Sequence, residues 1–433
     1  MIDIIIVELI GIGDYIFAQG FWQLFALFWP LLILDLPRYV CTDLTVLIMI
    51  WFMKNEDKAT AKKKLLAIPP LASVIVPAFN EENAILKSIK SLQEQTYPNL
   101  EIIVVDDGST DRTYELCIPL ARQNKIKLLR NRVRGGKPSA INYALNFCQG
   151  EYVVIVDSDS SFDRDAILNL LVCFANENIG VVSGNIRVRN AKLNLLTGLQ
   201  ALEYQISIAV ERRFTDITNI LSIVSGAFGA FRKDLLSEIG GMDGGPGEDL
   251  DSTIKVRKKL IKVAFASDAI CMTDVPSTLH GYIKQRLRWE RDLVKLTIRK
   301  HKNVFNPLWN NFSFYNLLSM LDIIFFHVML GLTFFIYIVY LFIYFREIMF
   351  IILLVTYIYY IAADTIQTFI AWWLSERKRE DLHLFFYIPI FSLYNGYFER
   401  MIRVVAYLDE FLFRRSYKDL YIPRRVGAKM IKW

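Results

Sequence analysis

The chain has 433 residues, of which 54% are hydrophobic and 14% aromatic, and this composition excludes a disordered or collagen-like protein. Its five cysteines include no C-x-x-C pair, which argues against a cysteine zinc site and against a disulfide-stabilised secreted scaffold. The net charge of +6 is small for this length, so the basic residues are informative only through their positions.

The apolar residues are concentrated in long runs at 20–53, 316–345 and 349–374, with a weaker run at 384–413. Crossing the hydrocarbon core of a bilayer takes about 20 apolar residues. The sequence therefore predicts three membrane-spanning helices, the first of them one long span with residues 2–19 lying at the interface. For the weaker run, crossing the membrane and returning to the same side both stay open.

Basic residues cluster directly after these runs, at 54–64, 377–379 and 414–433. Cytoplasmic segments of membrane proteins carry an excess of Lys and Arg. The pattern predicts a multi-pass protein of a bacterial-type plasma membrane with its soluble part in the cytosol. Solvated charge runs would explain the polarity of these segments but not their placement beside apolar runs.

The soluble part, 70–275, alternates short β-branched runs with amphipathic stretches such as 82–95 and 110–123. This alternation predicts βαβ units and a mostly parallel sheet. Such sheets bind ligands outside the carboxyl ends of their strands. The predicted strands are Ala72–Val76, Glu101–Val105, Ile126–Leu129, Tyr152–Val156 and Gly180–Ser183.

Polar clusters follow the first two predicted strands. Phe79 and Glu81 come after the first strand, and Asp106 and Asp107 come after the second. An aromatic face with carboxylate acceptors at its edge suits a nucleobase and its N–H donors. Turn and helix-capping chemistry is the competing explanation, because Asp, Gly, Ser and Thr are common in strand-to-helix turns.

A Gly-Gly-Lys sequence at 135–137 opens the next predicted helix. Glycines permit a close backbone approach, and Lys137 places a positive charge near helical N–H groups, which favours phosphate binding. The spacing is not that of a Walker A loop. A surface turn is the alternative.

Asp157 and Asp159 follow the strand Tyr152–Val156. Alternation along an extended chain would put both carboxylates on one side, where they could hold a divalent cation, Mg or Mn, together with a diphosphate. A chance turn is the alternative. The fact that this is the fourth polar cluster at a strand end makes that explanation weaker.

Glu248, Asp249 and Asp251 begin a further predicted helix, after the small, glycine-rich segment 222–232. One of these carboxylates could deprotonate an acceptor hydroxyl as a general base. Attraction of acidic residues to the positive end of a helix dipole is the alternative.

The sequence Gln-Arg-Leu-Arg-Trp at 285–289 lies in a basic amphipathic stretch from about 276 to 302. Arginine near a departing diphosphate would stabilise its developing charge, and the indole of Trp289 offers a stacking face to a sugar ring. Basic amphipathic helices with Trp are also typical of membrane surfaces. Both roles are predicted for this segment.

Taken in order, these segments resemble the processive membrane-bound family 2 glycosyltransferases, which include bacterial cellulose synthase, hyaluronan synthase, chitin synthase and poly-N-acetylglucosamine synthase. The resemblance covers residues 70–300 and extends to the flanking membrane segments. The motifs that carry it are PAFNE, DDGSTD, GGKPSAIN, DSDS, SGAFGAFR, GEDLD and QRLRW.

The resemblance implies a GT-A fold, the α/β fold of nucleotide-diphospho-sugar transferases, inserted between transmembrane helices. It also implies an inverting enzyme that elongates a β-linked polysaccharide from a UDP-sugar and moves it across the membrane. The donor-binding residues that it implies are Phe79, Glu81, Asp106 or Asp107, Lys137, Asp157, Gln285, Arg286 and Arg288. It further implies Asp249 as the base, Asp159 and Asp157 as metal ligands, and Glu248 and Trp289 at the acceptor.

The domains predicted on this basis divide the whole chain. They are an N-terminal membrane segment (1–53), the cytosolic GT-A domain (54–275), interfacial helices with QRLRW (276–313), a transmembrane and channel region (314–413) and a basic cytosolic tail (414–433). Polar residues within the apolar runs, namely Asp322, His327, Asp364 and Gln367, are expected to face a hydrated glycan path or to bond neighbouring helices.

Two features leave the donor sugar open between UDP-glucose and UDP-N-acetylglucosamine. Gly247 precedes Glu248 and Asp249 where cellulose synthases usually have Thr, and the segment VSGxxxAFR is more like poly-N-acetylglucosamine synthase. The expected partners are the UDP-sugar, the growing polysaccharide, the bilayer and a separate regulatory or accessory chain, with no nucleic acid. The competing hypotheses are a polyprenyl-phosphate glycosyltransferase that adds one sugar to a lipid, and a nonenzymatic transporter or scaffold.

Overall fold

The computed structural model describes residues 20–52, 58–418 and 423–427. Eight strands form one sheet in the order β3-β2-β1-β4-β7-β6-β8-β5. The strands are β1 (Ala72–Ala78), β2 (Leu100–Asp106), β3 (Lys127–Arg130), β4 (Tyr152–Val156), β5 (Ser161–Phe162), β6 (Ile179–Val188), β7 (Phe228–Arg232) and β8 (Lys262–Thr273).

Strands β1 to β4 form the parallel part of the sheet that the sequence predicts. Every residue of β1 and of β4 is buried, as expected for continuous apolar strands that are covered on both faces. In the β1–β2 pairing Ala78 lies opposite Asp106, so the two polar clusters that follow these strands leave the sheet side by side.

The sheet is mixed, whereas the sequence predicts a mostly parallel one. In the described part of the chain, four pairings are parallel and three are antiparallel, because β7 runs antiparallel between β4 and β6 and β5 runs antiparallel to β8. The sequence analysis missed β7 because glycines interrupt its strand pattern. Gly229 is needed there, since a Cβ at this position would lie 2.5 Å from Val224 Cγ1.

Helices cover the sheet and join it to the apolar segments. The predicted helices at 82–95 and 110–123 begin three residues later than expected, since the residues before them form turns. In the part of the chain that carries the sheet, the helices are α2 (Lys58–Ala67), α3 (Ile85–Gln93), α4 (Thr113–Arg122), α5 (Lys137–Leu145), α6 (Ala166–Val172), α7 (Leu195–Ile206), α8 (Arg212–Ile217), α9 (Lys233–Glu238), α10 (Glu248–Lys258) and α11 (Leu279–Val294).

Three helices of the described chain are long and apolar enough to cross a membrane: α1 (Phe21–Phe52), α12 (Phe314–Tyr344) and α13 (Met349–Trp373). The prediction that the first apolar run forms one long helix is confirmed. The prediction that residues 2–19 lie at the interface falls outside the described residues. The weaker run forms α15 (Ile388–Leu393) and α16 (Glu399–Phe413), which follow the short α14 (Lys378–Asp381).

Buried polar side chains join these apolar helices to one another. Ser392 Oγ donates to Asp364 Oδ2 at 2.6 Å, and Gln367 Nε2 donates to Asp43 Oδ1 at 3.1 Å. Of the two roles expected for Asp364 and Gln367, the structure therefore shows helix–helix hydrogen bonding. His327 Nδ1 is buried without a hydrogen-bond partner in the described part of the chain.

Candidate active site

The ring of Phe79, just beyond β1, is covered by a guanidinium group. Arg134 Cζ lies 4.1 Å from the centre of this ring, a distance typical of a cation–π contact. The sequence analysis assigned this aromatic face to a nucleobase. In the arrangement observed here, a base would have to displace Arg134 or use the opposite face of the ring.

Asp106 and Asp107 are both buried, and each is engaged within the protein. Asp107 accepts hydrogen bonds from the backbone N–H of Gly135 at 2.9 Å and of Gly136 at 2.6 Å. Asp106 forms an ion pair with Arg130 at 3.0 Å. Asp107 therefore shapes the glycine loop, and direct contacts from either carboxylate to a nucleoside stay a prediction.

Lys137 is the first residue of α5 and connects two sides of the site. It follows Gly136, whose φ of +87° lies in a region that favours glycine. Its Nζ lies 2.5 Å from Asp157 Oδ1 and 3.6 Å from Glu248 Oε1, and it donates to the carbonyl of Gly226 at 2.9 Å. Burial acts to lower the pKa of Lys137, but Asp157 and Glu248 outweigh it and hold the pKa above its ordinary value. The ammonium group is therefore charged at neutral pH.

Asp157 and Asp159 lie close together, but not for the reason that the sequence analysis gave. Strand β4 ends at Val156, and residues 158 and 159 form a turn, so the argument from extended-chain alternation is wrong. Burial, followed by the charge of Asp157, raises the pKa of Asp159. Burial, followed by Asp159 and Asp157, raises the pKa of Glu81 to about 7. The charges of Asp157 and Asp159 thus both act on Glu81, which follows β1.

These carboxylates fit a cation that is held partly by its substrate. Within the described residues, no group of three His, Cys, Asp or Glu side chains could hold a metal ion alone. Mg²⁺ in nucleotide sites is usually bound by one or two carboxylates together with substrate phosphates and water. Asp157 and Asp159 match that pattern, and their mutual repulsion would be relieved by a divalent ion.

Asp249 lies in the first turn of α10, which begins after Gly247 at a φ of +83°. Its Oδ1 accepts a hydrogen bond from the N–H of Leu250 at 2.8 Å. A Cβ added to Gly226 would lie 3.4 Å from Asp249 Oδ2 and 3.3 Å from Lys137 Nζ. The carboxylate of Asp249 and the ammonium group of Lys137 therefore both lie on the side of Gly226 where other residues carry a side chain, which is called its open side below.

The other two acidic residues of this helix differ from Asp249. Glu248 is half-buried; burial raises its pKa although Lys137 acts against the shift. Asp251 is buried and holds Lys300 at 2.6 Å and His301 at 2.7 Å, so it stabilises the junction with the segment after α11. Of these three carboxylates, Asp249 is the one that these contacts place beside Gly226, with its Oδ2 nearest the glycine.

The structure gives Arg286 different partners from those expected. Its guanidinium pairs with Glu203 at 2.6 Å and with Glu399 at 3.5 Å, and it lies 4.9 Å from the ring of Trp289. Both carboxylates come from helices on the membrane side, α7 and α16. In this arrangement Arg286 is already neutralised, so a diphosphate would have to compete with two carboxylates for it. Roles for Gln285, Arg288 and Trp289 in substrate binding stay predictions.

Two arginines that the sequence analysis did not select lie at the site. Arg189, one residue beyond β6, donates to the carbonyl of Asp159 at 2.9 Å and pairs with Asp274 at 2.7 Å. The strand-end rule could have found Arg189, had β6 been predicted to its full length. Arg425 donates to the carbonyls of Val133 at 2.7 Å and Arg134 at 2.8 Å. No sequence signal distinguishes Arg425 from the rest of the basic tail.

The segment 423–427 lies over the glycine loop. Pro423 Cδ lies 3.7 Å from the position of a Cβ at Gly136, and Val426 lies at the same distance from such a position at Gly244. Beneath this segment is a cavity of about 530 Å³, within the size range of small-molecule sites. Its lining includes Gly135, Ser139, Asp243, Pro246, Glu248, Lys295, Arg425 and Val426.

The open side of Gly226 gives a direct test of this geometry. We expect Gly226→Ala to lower the turnover number about 10- to 100-fold, since the new methyl group would separate Lys137 from Asp249 and small misplacements of reacting groups are costly. The thermal stability should change little. The measurement is turnover at saturating substrate, beside Gly20→Ala as a control, because Gly20 is exposed just before α1. Unchanged turnover in Gly226→Ala would mean that the space between Lys137 and Asp249 is not needed for the reaction.

Residues 73–240 match the family model described as "Glycosyl transferase family 2". This part of the chain is therefore similar to the domains of that family. The chain is also similar to poly-beta-1,6-N-acetyl-D-glucosamine synthase of Staphylococcus epidermidis, with 31% identity over 219 residues, which are 50% of this chain and 53% of the relative. The synthase of the same name from Staphylococcus aureus is 28% identical over 246 residues, 56% of this chain and 60% of the relative. The chain thus spans about half the length of these curated relatives.

A solved structure shows the same fold. The mannosyltransferase PcManGT from Pyrobaculum calidifontis, in complex with GDP-Man and Mn²⁺, superimposes with a TM-score of 0.54 and 20% identity over 83% of this chain and 96% of that one. The domain therefore has the GT-A-like fold that the sequence analysis expected, flanked by three apolar helices.

Proposed function

We propose that this protein is a membrane-embedded polysaccharide synthase that transfers N-acetylglucosamine from a UDP-sugar to the end of a growing β-linked chain. The observation that carries the proposal is the arrangement around Gly226, where Lys137, bound to Asp157, faces Asp249. A cation beside the leaving diphosphate and a carboxylate beside the acceptor are what such a transfer requires. The relatives named as poly-beta-1,6-N-acetyl-D-glucosamine synthases support this sugar over glucose.

In the proposed reaction, Asp249 removes the proton from the acceptor hydroxyl as its oxygen attacks the anomeric carbon. The new C–O bond forms while the bond to the diphosphate breaks, and UDP leaves with the bonding electrons. Lys137 remains charged next to the departing group and needs no proton transfer of its own. Single displacement inverts the anomeric centre and requires no second carboxylate as nucleophile.

We further propose that Asp159 and Asp157 hold a divalent cation. When bound, such an ion would neutralise charge on the diphosphate. The support is that the charge of Asp157 acts on Asp159 and that both charges act on Glu81, a repulsion that a divalent cation would relieve. The apolar helices would carry the product across the membrane, with the catalytic domain on the cytosolic side.

The function is tested with purified protein in detergent, given UDP-N-acetylglucosamine or UDP-glucose, each with Mg²⁺ or Mn²⁺. UDP release is measured, and labelled product is sized and digested with linkage-specific glycosidases. We expect long polymer from UDP-N-acetylglucosamine. If polymer forms from UDP-glucose and not from UDP-N-acetylglucosamine, the transferred sugar is glucose. Transfer to added polyprenyl phosphate without polymer would replace the synthase by a lipid-modifying transferase.

The metal site gives a second prediction. We expect Asp159→Asn to raise the metal concentration needed for half-maximal activity at least about 10-fold, because even the loss of a group supporting a ligand costs that much affinity. Activity is measured as a function of the Mn²⁺ or Mg²⁺ concentration, at a fixed concentration of the UDP-sugar. Asp165→Asn is the control, since the Asp165 carboxylate accepts from Thr96 at the surface. An unchanged metal requirement in Asp159→Asn would remove Asp159 from the site.

A further inference from the structure

Arg212 is a half-buried arginine that forms no ion pair with any residue the structure describes. It begins α8 directly after a π-helical turn, Ser207–Glu211. Its neighbour Glu211 is paired with Arg38 at 2.6 Å. The contacts of Arg212 are Ser183 and, 6.0 Å from its Cζ, the ring of Phe265, and neither side chain carries a negative charge. Keeping a charged group away from water without an oppositely charged partner is unfavourable, so such a group in a candidate site is expected to meet that partner in a ligand. Single π-turns are also frequent at functional sites.

One serine connects Arg212 to the centre of the site. Arg212 Nη1 donates to Ser183 Oγ at 3.1 Å, and the backbone N–H of Ser225 donates to the same oxygen at 3.2 Å. Ser225 precedes Gly226, on whose open side Lys137 and Asp249 lie. Ser183 thus connects Arg212 to the segment that carries Gly226, around which the reaction is proposed to take place.

Arg212 belongs to the Asp249 side of this site. Burial lowers the pKa of the Arg212 guanidinium to about 10, and the charges that act against this shift are Asp249 and then Tyr204. Asp249 also raises the pKa of Lys137, but Lys137 is bound directly to Asp157 at 2.5 Å. In an inverting displacement the base and the leaving group are on opposite faces of the sugar. The two cations therefore serve opposite ends, Lys137 the diphosphate and Arg212 the acceptor.

We propose that Arg212 is an acceptor-binding residue, which donates hydrogen bonds to the end of the growing saccharide beside the hydroxyl that Asp249 deprotonates. The proposal rests on the proposed function, because an acceptor sugar exists only if the chain is a glycosyltransferase. A guanidinium has five N–H donors, and Ser183 takes one of them, so several are left for sugar oxygens. Its charge also stabilises the negative charge that develops on the attacking oxygen.

The test compares Arg212→Gln and Arg212→Lys in a transfer assay with UDP-N-acetylglucosamine and a short β-1,6-linked N-acetylglucosamine oligosaccharide as acceptor. We expect Arg212→Gln to raise the KM for the oligosaccharide about 10- to 100-fold, the loss that follows from removing hydrogen bonds to a charged group. The KM for the donor and donor hydrolysis without acceptor should stay near those of the unmodified protein. Arg212→Lys keeps the charge but not the planar set of N–H donors. Its KM for the oligosaccharide should therefore lie between those of the unmodified protein and Arg212→Gln.

Arg213→Gln is the matched control. Arg213 is the next residue of α8, and it lines a separate cavity of about 330 Å³. Its substitution should leave both KM values unchanged. A rise in the donor KM of Arg212→Gln, or no change in its acceptor KM, would overturn the acceptor role. If the unmodified protein transfers no sugar with any donor, the proposed function itself fails, and the two failures are thereby distinguished.

Discussion

Asp249→Asn should lower the turnover number of sugar transfer about 10²- to 10⁴-fold, the usual contribution of a general base. Asparagine keeps the shape of the side chain, and its oxygen can still accept from the N–H of Leu250. It cannot take a proton from the acceptor hydroxyl. Lys137 keeps its contacts with Asp157 and Glu248, so donor binding should persist.

This prediction separates chemistry from binding by two measurements on one variant. UDP-sugar binding is followed by calorimetry, and turnover by UDP release at saturating donor. The control is Asp251→Asn, two residues along the same helix, whose carboxylate holds Lys300 and His301. That variant should lose thermal stability instead of losing donor binding or chemistry selectively. Full turnover in Asp249→Asn would exclude it as the base and direct attention to Glu248.

The parallel half of the fold follows from local sequence because its central strands, β1 and β4, are almost entirely apolar and fully buried. β4 was predicted with its observed bounds, Tyr152–Val156. The polar clusters were found for the same reason, since residues just beyond such strands are at the ligand-binding edge of the sheet. β7 was not found because Gly229 interrupts its strand pattern. A glycine is needed there, since a Cβ at this position would lie 2.5 Å from Val224 Cγ1.

Side-chain partners distant in the chain were beyond the reach of the sequence. Spacing alone places Arg286 on an amphipathic helix, but its partner Glu203 lies 83 residues earlier and reaches it only through the packing of α7 on α11. Asp157 and Asp159 show a different limit. The sequence analysis assumed an extended strand through residue 159, whereas the strand ends at Val156 and residues 158 and 159 form a turn, so their joint binding of a metal ion stays a prediction.

Arg212 illustrates a third limit. In the sequence it is one of two adjacent arginines after Glu211, and nothing local distinguishes them. Their environments differ because of tertiary contacts: Ser183 accepts from Arg212, whereas Arg213 lines a cavity of about 330 Å³. A functional assignment to either residue therefore required the packing of α8 against the sheet.

The second large effect is expected at the buried ion pair between Asp35 and Arg400, among the apolar helices. Arg400 binds Asp35 through two N–H groups, at 2.7 and 3.2 Å, and Tyr360 donates to the same carboxylate at 2.8 Å. The side chains of the pair are 3% and 8% exposed. The contact joins α1, α13 and α16, so one cluster connects the N-terminal helix to the C-terminal region.

Arg400→Met should lower the free energy of unfolding by about 3–5 kcal/mol, because it leaves Asp35 buried and uncompensated. The double variant Asp35→Leu/Arg400→Met should recover most of that loss, since an apolar pair of similar volume carries no desolvation penalty. Thermal unfolding in detergent, followed by tryptophan fluorescence, measures all variants. Lys90→Met is the surface control, as its pair with Glu94 is exposed and should contribute at most about 1 kcal/mol.

The comparison between the single and double variants decides what the ion pair does. If both are equally unstable, the pair determines the geometry of the helices and not merely the balance of charge. If the single variant is as stable as the unmodified protein, Asp35 must reach water, and the interior of the bundle must be hydrated. That second outcome would favour a water-filled path beside Arg400, which a polysaccharide crossing the bilayer would need.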